Sequence, residues 1–261
     1  MNPKSLLSVV LVILFGVSAA KVQDEKSKQV IIEAKKVLAK GASYADGSLL
    51  SQAKAMLKPL TTHESLFPLA YYYLAYADYQ MGVAVERMDK DRAVAYLDSA
   101  VEYLEAAIER DERFAEAYAL LASCYGMKIG FAPLKGIILG PKSSSVMSKA
   151  KALAPENPRV ALLDAIGTYN TPALFGGGKD KGLAMMKKAA ELFDRWKETN
   201  PLQPSWGKEV VYAWIGIAHL KRNETILAKR AFEKALEINP EYGWVKNVWL
   251  PKVAAQAGAK E

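Results

Sequence analysis

The chain has 261 residues, of which 51% are hydrophobic, so it can bury a substantial core and is neither a disordered nor a collagen-like chain. Lys and Arg outnumber Asp and Glu by 35 to 28, a formal net charge of +7. That excess is spread along the chain, as on an ordinary solvated surface, and does not gather into a nucleic-acid footprint.

Residues 1–20 differ in character from the rest of the chain. Lys4 precedes an apolar run from Leu6 to Val17, and Ser18, Ala19 and Ala20 close it with small side chains. A positive start, a short apolar stretch and a small-residue end are what a secretory signal peptide requires, with cleavage after Ala19 or Ala20. The run is shorter than the roughly 20 apolar residues that span a bilayer. The expectation is therefore one mature domain, residues 21–261, periplasmic or secreted, without a transmembrane segment. The single cysteine, Cys124, has no partner for an internal disulfide, supplies no metal-ligand pair and lies far from the position of a lipoprotein cysteine. It reads as core filler.

Beyond residue 23 the apolar positions recur with helical periodicity. Ala53, Leu57 and Leu60 mark the second helix of a first pair, over about 24–60. Tyr71, Leu74 and Ala75, then Ala100, Leu104 and Ala107, mark a pair over 65–110. Tyr118, Leu121, Ala122 and Tyr125, then Ser143, Met147, Ala150 and Pro155, mark a third over 114–154. The step from Leu60 to Tyr71 and the step from Ala107 to Tyr118 are both 11 residues, which argues for a true register. Gly182, Met186 and Ala189 mark the second helix of a pair over 158–197, and a fifth pair covers 208–240. Trp244, Val245, Trp249 and Val253 predict a terminal helix that covers the last pair.

The fifth pair carries the clearest pattern: Tyr212, Ile215, Gly216, His219, Ala228, Phe232, Ala235 and Pro240. At these spacings it resembles the 34-residue tetratricopeptide repeat (TPR). Small residues let two antiparallel helices approach, Ile215 and Phe232 fill the space between them, and Pro240 ends the second helix. The resemblance implies an all-α fold, a solenoid of about five antiparallel helix pairs with a C-terminal capping helix. It further implies a protein that binds partners on a concave face. Pro172 to Gly178 with Ala184 and Ala189 also resembles envelope TPR proteins such as the helical accessory component of tripartite solute transporters.

Three turns within pairs are longer than that of the fifth. Ile215 to Ala228 spans 13 residues, whereas Leu74 to Ala100, Leu121 to Ser143 and Leu163 to Gly182 span 26, 22 and 19. In a solenoid such insertions project from one edge, where function is expected. The stretch from Gly130 to Pro141 is too rich in Gly and Pro for a helix and too apolar for a free loop. A second, from Tyr169 to Gly178, ends in three glycines.

Motifs for catalysis are weak. Gly176-Gly177-Gly178-Lys179-Asp180 lacks both the leading glycine and the Ser or Thr of a phosphate loop. Ser51-Gln52-Ala53-Lys54 and Ser148-Lys149-Ala150-Lys151 lack the companion motifs of serine acyl-enzymes. His63 and His219 form no metal-binding pair. No enzymatic activity, metal or cofactor is expected. The candidate binding residues are Tyr72, Tyr76 and Tyr79, which share a helix face, together with Phe131, Leu134, Ile137, Leu174 and Phe175 in the insertions. Either the tyrosines line a groove or they pack as core. A protein or peptide partner is the first expectation, and an apolar small molecule bound by an accessory protein of an envelope transport system is the alternative.

Overall fold

A computed structural model describes the backbone of residues 3–258 and the side chains of residues 23–257. The expected signal peptide, residues 1–20, falls outside the described side chains. Among the described residues every regular element is helical. Five helix pairs succeed one another: α1 (Pro3–Tyr44) with α2 (Gly47–Leu57), α3 (Phe67–Val85) with α4 (Lys90–Arg110), α5 (Ala115–Phe131) with α6 (Gly136–Leu153), α7 (Pro158–Asn170) with α8 (Lys179–Arg195), and α9 (Lys208–Lys221) with α10 (Thr225–Ile238). Each pair packs against the next, as in a solenoid of nearest-neighbour repeats.

Local chemistry sets the helix starts. Asp46 accepts from the amides of Ser48 and Leu49, Asp89 from that of Arg92, and Asn157 from those of Arg159 and Val160. These acceptors satisfy amides that have no partner within the helix. The small residues act where the repeat pattern predicts. A Cβ on Gly216 would lie 2.5 Å from the Phe232 ring, so the glycine is what lets α9 and α10 close on each other. The chain then turns through Trp244–Trp249 into α11 (Leu250–Gly258), with the Trp249 ring stacked 6.2 Å from Phe232 and Val245 and Val253 buried. This is the expected cap.

One buried charge ties three helices together. Asp78 on α3 is wholly buried, ion-pairs with Lys54 on α2 and accepts from Ser99 Oγ on α4 at 2.7 Å.

The insertions differ from their sequence reading in two ways. The extra residues of the second pair lengthen α3 and α4 to 19 and 21 residues and form no loop. In the third pair, Gly136 to Pro141 is helical although it looked too rich in Gly and Pro. Pro141 stands at an exposed position near the start of α6, where water can satisfy the carbonyl that its missing N–H leaves unpaired.

Candidate functional site

The twelve residues from Trp196 to Gly207, between α8 and α9, decide what the groove contains. They run back across the face made by the first helices of the pairs. Lys35 on α1 donates through Nζ to the carbonyls of Pro201 and Gln203, at 2.6 and 2.5 Å. Tyr73 on α3 donates its hydroxyl to the carbonyl of Leu202 at 2.7 Å. Trp206 stacks on Tyr76 with ring centroids 4.8 Å apart, and its indole N–H donates to the Tyr72 hydroxyl at 3.0 Å. The groove thus holds an irregular stretch of chain, turned at Asn200–Gln203, by its carbonyls and by one aromatic anchor.

At its start this strap is latched by charge. Arg159 on α7, 1% exposed, donates to Glu198 of the strap at 2.9 Å and pairs with Glu116 on α5 at 3.5 Å. Its guanidinium lies over the Trp196 ring at 5.6 Å. Asn157 donates to the same Glu116 at 2.6 Å, so that carboxylate is shared between an amide and the buried cation, which Glu198 meets from the strap. A cleft of about 200 Å³ opens beside this cluster, bounded by Glu116, Arg159 and the strap residues Trp196 to Asn200. Burial lowers the pKa of the Lys35 ammonium and raises the pKa values of the Tyr72, Tyr73 and Tyr76 hydroxyls, so the phenols stay neutral hydrogen-bonding groups.

The candidate residues fall in two places. Tyr72 and Tyr76 are 0% and 4% exposed, covered by the strap, and Tyr79 is half-buried beside the same core. Phe131 is half-buried at the end of α5. Leu134, Ile137, Leu174 and Phe175 are 75–87% exposed at the turns α5–α6 and α7–α8. The tyrosines and the exposed tips therefore do not line one pocket.

The tips belong to a wider pattern. Nine of the ten exposed large apolar side chains among the described residues stand at the five turns within pairs. They are Tyr44, Met88, Leu134, Ile137, Ile138, Leu174, Phe175, Ile226 and Leu227; the tenth is Trp196. In an array of antiparallel pairs these turns share one edge.

The three glycines at 176–178 serve the backbone. Gly176 and Gly178 have φ of 81° and 140°, and a Cβ on Gly177 would meet the Thr171 carbonyl oxygen at 2.1 Å. Their amides donate to the carbonyls of Ala173, Pro172 and Thr168, so none is turned outward to cradle a phosphate. His219 Nδ1 lies within hydrogen-bond distance of Glu224 Oε2, at 2.5 Å, and the described residues hold no cluster of three or more His, Cys, Asp or Glu able to bind a metal. No described helix is long and apolar enough to cross a membrane.

Sequence reasoning passed over the strap because Asn200 to Gly207 has no helical period. Its two prolines and a tryptophan in eight residues were the available signal, since an aromatic in a proline-rich connection needs a place to bury its ring. Lys35 and Arg159, charged residues within helices, and Glu198 in the connection gave none, because an ordinary solvated surface carries such charges.

No protein-family model matches the sequence, and no curated protein matches it as a relative. Solved structures share the fold. The chain is similar to the HusA haemophore from Porphyromonas gingivalis, with a TM-score of 0.58 and 20% identity over 72% of this chain and 92% of that one. It is also similar to a thermophilic TPR protein from Thermus thermophilus, with a TM-score of 0.56 and 19% identity over 87% and 98%. The fold is thus an all-α, TPR-like solenoid.

Proposed function

We propose that the chain is an exported, non-catalytic binding scaffold of the TPR kind, whose groove grips a polypeptide segment carrying a turn and an aromatic residue. The observation that carries this reading is the strap itself. Lys35 and Tyr73 bond to backbone carbonyls, which every polypeptide offers, and Tyr72 with Tyr76 adds a seat for one ring. A partner segment with the same features competes with a resident one whose effective concentration is on the order of millimolar, so capture is weak until the strap is loosened. Export rests on residues 1–20 and is checked by N-terminal sequencing, where a mature chain beginning near Ala20 or Lys21 is expected and an intact Met1 in a cytosolic fraction contradicts it.

The test uses a synthetic copy of residues 196–207 and the Trp206→Ala chain. The peptide is expected to bind that chain saturably, with perturbed Tyr72 and Tyr76 resonances, and to leave the wild type unoccupied. Absence of binding at millimolar peptide would sink the reading.

A second reading draws on the similarity to a protein named a haemophore. In it a flat apolar ligand takes the place of the Trp206 indole over Tyr76. Titration with haemin separates the two: a saturable Soret shift that the peptide copy abolishes favours the small ligand.

A further inference from the structure

The exposed apolar tip at the turn α5–α6 comes with unpaired cations. Residues 117–155 hold no aspartate or glutamate and five lysines, of which Lys128 and Lys151 pair with Asp98 and Asp164. Two of the others, Lys135 and Lys142, flank the tip formed by Leu134, Ile137 and Ile138, and both are exposed without an ion pair among the described residues. Beside them on the same edge, the next turn raises Leu174 and Phe175, 87% and 75% exposed.

The shape of this edge matters as much as its composition. The apolar side chains of these two turns stand on separate projections and are 66–87% exposed, so they form wedges and not a groove into which a helix or strand could fit. A folded partner would need a matching socket for each wedge. A lipid surface is fluid and admits each independently, while the lysine stems lie along the apolar boundary and set their ammonium groups at the level of the phosphates.

We propose that this edge docks on an anionic lipid surface. Leu134, Ile137, Ile138 and Phe175 enter the boundary between headgroups and acyl chains, and Lys135 and Lys142 meet the headgroup phosphates. The groove, closed by its strap, stays available on another face, and this inference stands independently of what the groove binds.

The full chain with Leu174→Cys, carrying an environment-sensitive fluorophore on that thiol, reports the edge directly. Cys124 is wholly buried and burial raises its thiol pKa, so the reagent stays on the introduced cysteine. Vesicles of phosphatidylcholine with about 30 mol% phosphatidylglycerol are expected to shift the probe to the blue, while phosphatidylcholine alone gives a weak response that added salt does not change. Lys135→Glu with Lys142→Glu is expected to weaken anionic binding on the order of tenfold or more. Leu134→Ser with Ile138→Ser is expected to remove the blue shift, with the helical circular dichroism and melting unchanged because these side chains are exposed. No shift with either vesicle, equal shifts with both, or unchanged shifts in the variants overturns the proposal. Self-association that Leu134→Ser with Ile138→Ser abolishes, without any vesicle response, identifies a polypeptide interface instead.

Discussion

Arg159 is the residue whose surroundings carry the sharpest energetic consequence. Glu116 is its buried counter-charge, with side-chain exposure of 11%, and Glu198 is its wetter one, at 37%. Removing one partner of a buried pair leaves the other charge uncompensated, at a typical cost of about 3–5 kcal/mol, whereas a partly solvated partner is replaced by water. Chemical denaturation of Glu116→Ala is therefore expected to show a loss of about 3 kcal/mol, and Glu198→Ala a markedly smaller one. Equal losses would mean that the strap shields Glu198 as completely as the helices shield Glu116. Gly182 makes a second case. A Cβ there would lie 2.5 Å from the Tyr169 Cα, and backbone cannot yield as a flexible side chain does. Gly182→Ala is expected to destabilise by about 2 kcal/mol or more through overpacking between α7 and α8, measured as a lowered melting temperature. This site was legible in advance as a small-residue slot of the repeat. Arg159 was not, because nothing in a sequence tells a buried arginine from a solvated one.

At the scale of elements, the helix pairs were readable because their apolar faces repeat with a fixed offset, and small residues mark each close approach. The boundaries near Gly136 and Pro141 were misread because residue preference is a weak prior that exposed first turns tolerate. The strap was invisible for a different reason. It is held by main-chain carbonyls and by residues far away in sequence, Lys35 and Tyr73 among them, and such contacts leave no local period. Of the tyrosine pattern, Tyr72 and Tyr76 meet the strap, as does Tyr73, which the pattern did not single out, and what covers them depends on a connection without a pattern. Trp206→Ala removes the ring stacked on Tyr76 and the bond to Tyr72. A loss of about 2 kcal/mol is expected, with faster amide exchange confined to residues 196–207 and their contacts on α1 and α3. Uniformly faster exchange over all five pairs would mean that the strap is part of the global fold and cannot open separately.

For the whole molecule, a solenoid of nearest-neighbour contacts has few links between distant pairs, and the strap supplies several of them. It joins α1 and α3 of the first two pairs to the connection that precedes the fifth. Such a bridge closes the groove and stiffens the curvature together. The projecting edge is left as an open apolar surface. The strap rests in the groove through Trp206 on Tyr76. A double-mutant cycle with Trp206→Ala and Tyr76→Ala, read out by denaturant unfolding, tests this seating. The expected coupling between the two positions is about 1 kcal/mol, as for a stacked aromatic pair in contact. Additive losses, within about 0.3 kcal/mol, would contradict a strap seated on the groove.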